Sequence, residues 1–167
     1  HIMEVGKGAV EGDTNLEKSA YQNAEKRTQM LLTVFKYPLG TPVDDNDGVT
    51  LMSEDVSFAP GIKTGRDYLL IMAKGLTASK VPMEFQGEPT ELTAGGQTFY
   101  RQNTVLTVHS KQVYEAIVTT IVKEHALAFI FIGMSEEGRA SLVKTLDTVH
   151  FENSRHEPST TLKAAAQ

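Results

Sequence analysis

Hydrophobic and polar positions change period along this chain, and the clearest passage runs from Val113 to Phe151. Val113–Val122 (VYEAIVTTIV) is β-branched and aromatic, as a half-buried pleated surface requires. Lys123-Glu124-His125 interrupts it as a tight turn. Ala126–Ile132 (ALAFIFI) then returns as a nearly continuous apolar run, which predicts a strand covered on both faces. Ser135-Glu136-Glu137 opens a helix whose Leu142, Val143 and Leu146 share one stripe, and a short closing strand ends at Phe151.

Upstream, Leu16, Ala20, Tyr21 and Ala24 recur at helical spacing and predict a helix over 13–29, capped by Asp13, Thr14 or Asn15. Its apolar face is thin, so it needs a partner surface to persist. Met30–Tyr37 reads as a first strand ended by Pro38, and Val49–Phe58 as a second closed by Ala59-Pro60-Gly61. Thr64-Gly65-Arg66-Asp67 leads into a helix over 66–77 with Tyr68, Leu69, Met72 and Leu76 inward, and Gly75 weakens its last turn. Glu88–Thr93 and Thr98–Val108 flank a Gly95-Gly96 hairpin turn, and His109-Ser110-Lys111 turns the chain into Val113–Val122. These turns are too short for a parallel crossover. The expected fold is therefore α+β, a four-stranded antiparallel meander within a sheet covered by helices. Residues 13–151 form one domain in this reading, with a mobile or tag-derived segment at 1–12 and a polar tail at 152–167.

Composition bounds the chemistry more than it directs it. A chain of 167 residues can bury roughly 70% of its unfolded surface without staples. Its net charge of −5 offers no basic field for a phosphate backbone, so nucleic acid is not an expected partner. The absence of cysteine excludes disulfides, thiolate catalysis and thiolate zinc sites. No apolar run approaches the ~20 residues that span a bilayer. His1-Ile2 ahead of Met3 reads as a cloning remnant. The compartment therefore stays open: cytoplasmic, or periplasmic or secreted if a leader has been removed.

Asp44-Asp45-Asn46-Asp47-Gly48 is the densest acidic cluster. A calcium-loop alignment uses Asp45, Asp47 and Glu54, but it puts Val43 at the first ligand position, and the flanks read as strands. A solvated turn is the plainer account, and no metal or cofactor is expected. Ser135 falls where a nucleophile elbow would put its serine, yet Glu137 replaces the second glycine, and a helix cap explains it fully. Gly61-Ile62-Lys63-Thr64-Gly65 lacks the order of a phosphate loop. His109, His125, His150 and His156 form no ligand spacing and read as surface histidines. Arg101, Asn103, Glu115 and Thr119 are the polar residues that alternation places in central strands, and they are the candidate ligand-binding set. Their bland reading is the wet face of a half-covered sheet.

The run Phe131-Ile-Gly-Met-Ser-Glu-Glu-Gly-Arg-Ala-Ser-Leu-Val-Lys-Thr-Leu-Asp-Thr-Val-His-Phe151 resembles the end of PsbP/Mog-type proteins, in a bacterial branch. There an apolar strand, an acid-flanked cap, a leucine-bearing helix and a Leu-Asp-Thr/Ser strand follow one another. With the element order over 30–151, the resemblance implies an α/β/α sandwich. It also implies a non-enzymatic binding or accessory role, such as that of an extrinsic photosystem subunit, a Ran-binding transport factor or an envelope protein. No residue here matches a motif that would carry the Ran or photosystem role across. The competing class is a small-ligand carrier or enzyme with a site between sheet and helix. Relatives open with an aromatic strand ending in Pro-x-Gly-Trp, whereas this chain has no tryptophan. The thin-faced segment in its place leads to the expectation of a homodimer through residues 13–37.

Overall fold

A computed structural model describes residues 26–78, 80–108 and 110–151. The expected segments at 1–12 and 152–167, and the helix over 13–29 as far as residue 25, lie outside the described residues. Six strands form one sheet: β1 (Thr28–Phe35), β2 (Gly48–Asp55), β3 (Met83–Ala94), β4 (Gln97–Val108), β5 (Lys111–Val122) and β6 (His125–Gly133). Their order is β1-β2-β6-β5-β4-β3, and every neighbouring pair is antiparallel. Among the described residues the full helices are α1 (Gly65–Ala78) and α2 (Glu136–Val143), the latter continued by a 3-10 segment at Lys144–Thr148, while Lys26 and Arg27 are also helical. The fold is α+β, an antiparallel meander with a helix on each face.

The meander forms because its turns are local. Lys123 and Glu124, both at positive φ, join Val122 to its partner His125 in a two-residue turn. Two mirror-image turn residues suit the right-handed twist of the flanking strands. Gly95 and Gly96, at φ 55° and 76°, serve β3 and β4 in the same way. The β1–β2 hairpin then docks β2 onto β6 from Gly48↔Ile132 to Asp55↔His125. Strand β6 is thereby central, which is what its continuous apolar run requires.

Alternation divides the sheet into two cores. On one face Tyr68, Leu69 and Met72 of α1 pack on Ile117, Ile121, Ala126 and Ile130. On the other, Leu142, Val143, Leu146 and Phe151 pack on Phe99, Ala116, Val118 and Phe131. The start of α1 is fixed by reciprocal capping: Asp67 N–H donates to Thr64 Oγ1 (3.2 Å) and Thr64 N–H to Asp67 Oδ2 (2.9 Å). Gly65 touches β5 there, since a Cβ at this position would collide with the Thr119 carbonyl oxygen.

Several boundaries differ from the sequence expectation, and the first two strands end early, β1 at Phe35 rather than Tyr37 and β2 at Asp55 rather than Phe58. Thr28 and Gln29 belong to β1 rather than to a preceding helix. The edge strand expected at Glu88–Thr93 begins at Met83, because Gly87, Glu88 and Pro89 bulge out between the pairs Gln86↔Asn103 and Thr90↔Arg101. The closing strand before Phe151 does not form; the 3-10 segment occupies 144–148 and Phe151 packs as a side chain on Phe99. Its apolar residues satisfy the core without needing a ladder partner.

Candidate functional site

The four candidate polar residues do not converge. Glu115 and Thr119 point into the α1 face, beside Ile117, whereas Arg101 and Asn103 pair with Val118 and Ala116 on the α2 face. The wet-face reading also fails for the first pair, because Glu115 is only 2% exposed and Thr119 fully buried.

Thr119 has a structural use: its hydroxyl donates to the Gly65 carbonyl at 3.0 Å and ties β5 to the start of α1. Glu115 is less well served. Thr104 Oγ1 donates to its Oε2 at 3.3 Å, and its other lateral neighbour in the sheet is Ile132. Burial pushes its carboxyl up to about 7, with the Thr104 hydrogen bond pulling weakly the other way. Gln102, also buried on this face, donates to the carbonyls of Gln86, Gly87 and Asn103 at 3.1–3.2 Å. Two of these main-chain oxygens, those of Gln86 and Gly87, lie at the β3 bulge.

On the α2 face the polar groups do gather. Arg101 Nε donates to Asn103 Oδ1 at 2.8 Å, and Asn103 lies opposite Gln86 of β3. Gln86 Oε1 in turn accepts from Arg139 Nη1 of α2 at 3.0 Å. Arg139 is 7% exposed, and its Nε is buried without a hydrogen-bond partner. Its guanidinium lies 5.9 Å from the centre of the Tyr114 ring. Neither arginine has an ion pair among the described residues. Burial and then the charge of Arg139 hold the Arg101 guanidinium below its ordinary value. Sequence reasoning missed Arg139 and Gln86. Arg139 could have been found, since it precedes Leu142 and Val143 by three and four residues and so shares the inward stripe of α2. Gln86 could not, because the bulge that sets its register is not written in the local pattern.

The remaining candidates are accounted for separately. Lys36 Nζ meets Asp45 Oδ2 at 2.6 Å, Met134 N–H donates to Asp47 Oδ1 at 2.8 Å, and Tyr68 O–H donates to Glu54 Oε2 at 2.8 Å. The three carboxylates of the calcium alignment thus serve three different tasks. No group of three or more His, Asp or Glu is placed to hold a metal among the described residues. Ser135 caps α2, accepting from Gly138 N–H at 3.0 Å. In the Gly61–Gly65 loop the Asp67 carboxylate accepts from Lys63 N–H and Thr64 N–H, so the N-terminus of α1 already carries its own anion. His125 and His150 are exposed, and His109 and His156 lie outside the described residues.

The edge of the sheet at β1 is apolar and exposed. Met30, Leu31, Leu32 and Val34 of the edge strand β1 are 46%, 47%, 51% and 51% exposed. The strand reads TQMLLTVF and contains no charge and no proline. The opposite edge, β3, carries Glu84, Glu88, Glu91 and Pro89 together with its bulge.

No family model and no curated protein matches this sequence. Among solved structures, PA94, a protein of unknown function from Pseudomonas aeruginosa, is similar with a TM-score of 0.53 at 8% identity. That match covers 75% of this chain and 84% of the other. LpqN of Mycobacterium tuberculosis, involved in cell envelope biogenesis, gives 0.44 at 12% identity over 74% of this chain and 76% of the other. Cyanobacterial PsbP from Synechocystis gives 0.42 at 12% identity over 75% and 84%. The first shares the fold; the other two fall below 0.5 and carry no argument.

Proposed function

We propose that this chain is a non-enzymatic binding or accessory protein of the PsbP-like type, and that it works as a two-fold homodimer joined along β1. The family reading rests on the residue pattern from Phe131 to Phe151. The observation that supports the dimer is the contrast between the two sheet edges. A strand edge offers unpaired N–H and C=O groups to any neighbouring chain, and proteins ordinarily blunt it with charges, proline or a bulge. Edge β3 has all of these devices. Edge β1 has a one-residue irregularity at Leu31 and four half-exposed apolar side chains. Two copies of an uncharged strand set antiparallel about a two-fold axis pair through their main chains and bring their apolar side chains side by side across the seam.

Light scattering on the full chain tests this. A dimer is expected at high micromolar concentration, and Leu32→Lys or Val34→Lys, each placing a charge at the seam, is expected to give a folded monomer. A full chain that stays monomeric there, with the same mass as the lysine variants, removes the proposal. A dimer that persists in both variants moves the interface away from β1.

A further inference from the structure

The paired guanidinium groups on the α2 face have no use in the dimer. Arg101 lies on β4 and Arg139 on α2, while β1 is separated from β4 by three strands. Both charges are directed at neutral amide oxygens, Asn103 Oδ1 and Gln86 Oε1, rather than at carboxylates. A buried charge that is neither paired nor fully hydrogen-bonded is costly, and Arg139 retains a buried, unpartnered Nε. Holding a second cation beside it raises that cost, unless an anion joins them. The carboxamide oxygens of Asn103 and Gln86 are occupied by the arginines, so their NH2 groups are left as further donors.

We propose that Arg101 and Arg139 together bind a phosphate dianion, free or as a monoester, between α2 and the β3–β4 hairpin. Two guanidinium charges match a doubly charged oxyanion, and the planar forks suit bidentate contact with its oxygens. Asn103 and Gln86 hold the forks in place from the sheet side. The chain as a whole carries a net charge of −5, so its long-range field does not collect anions. Recognition is therefore local and depends on these side chains.

The test is a titration of the full chain with inorganic phosphate at constant ionic strength. Melting temperature and amide chemical shifts are followed, with glycerol 3-phosphate and succinate as parallel arms. Wild-type protein is expected to show a saturable rise in melting temperature, with shifts centred on Gln86, Arg101, Asn103 and Tyr114. Arg101→Gln relieves the repulsion between the two charges, so it is expected to keep its melting temperature without phosphate. Its phosphate affinity should fall roughly 10- to 100-fold, as loss of a charged hydrogen-bond partner implies. Arg101→Lys should recover part of that loss. A stronger response to glycerol 3-phosphate than to phosphate identifies an ester as the natural form and supports the site. A response to succinate alone overturns the phosphate assignment. A linear response, one equalled by chloride, or one unchanged in Arg101→Gln overturns the site itself. Phosphate response is compared at one fixed protein concentration and the site lies three strands from β1, so the β1 dimer and this site can fail independently.

Discussion

An ionised Glu115 would face Thr104 Oγ1 at 3.3 Å and Ile132 beside it, from a position only 2% exposed. Burial therefore raises its carboxyl from 4.5 to about 7. The sign follows from proton binding: between those two values the folded chain holds a proton that the unfolded chain has released. Stability from this group is full below pH 4.5 and is lost as pH rises to about 7. At about 1.4 kcal/mol per pH unit the loss is on the order of 3 kcal/mol. Glu115→Gln should remove the decline, so that its denaturation midpoint at pH 8 exceeds that of wild type, whereas at pH 4.5 the two should be close. Asp67 acts in the opposite sense. The Thr64 hydroxyl holds its carboxyl below the usual range, so its contribution is lost only as pH falls through that lowered value. A wild-type midpoint that does not fall between pH 5 and 8 would contradict the account of Glu115. The alternation of β5 made Glu115 visible as a polar residue in a central strand, but it could not say that α1 covers it.

At the scale of elements, the two helices are held by different means. Helix α2 depends on its cap. Ser135 Oγ accepts from Gly138 N–H, and Glu136 and Glu137 favour the positive end of the helix. Ser135→Ala should lower stability by roughly 0.5–2 kcal/mol, read from chemical denaturation, as a lost cap does. Loss of a measurable hydrolase activity with an unchanged midpoint would mean that the serine acts as a nucleophile. Helix α1 depends on proximity. Gly65 meets the backbone of Thr119, which cannot swing aside as a flexible side chain can. Gly65→Ala should cost about 1–3 kcal/mol as an overpacked contact, and should also weaken the Thr119–Gly65 hydrogen bond. A variant as stable as wild type would show that α1 can lift off β5 without penalty. Both helices were legible from their apolar stripes, and α2 also from its Ser135 cap, because those signals lie within a few residues of one another. The 3-10 segment in place of a closing strand was not, since Val149 and Phe151 alternate as a strand would.

At the scale of the whole sheet, among the described residues one edge carries charges, proline and a bulge and the other an uncharged apolar strand, and that asymmetry is the basis of the proposed dimer. It also separates what the chain states locally from what folding adds. The meander β3-β4-β5-β6 could be read from two-residue turns and alternating strands, because consecutive strands joined by so few residues must pair antiparallel. The run Ala126–Ile132 likewise announced a strand buried on both faces. The insertion of the β1–β2 hairpin beside β6 was not readable, since nothing near Gly48 or Ile132 in sequence names the other as its partner. The same holds for the site. Arg101 and Asn103 were found by period, whereas Arg139 reaches Gln86, the cross-strand neighbour of Asn103, only because α2 packs back over the sheet. Alternation assigned Glu115 and Thr119 to one face and Arg101 and Asn103 to the other only once the β4–β5 register was set. Sequence alone thus determined both helices, the central strands, their turns and the antiparallel sense, all of which arise from contacts between neighbours along the chain. Tertiary structure alone decided which face each helix covers, which edge stays bare and which charges meet, because those depend on contacts between residues far apart in sequence.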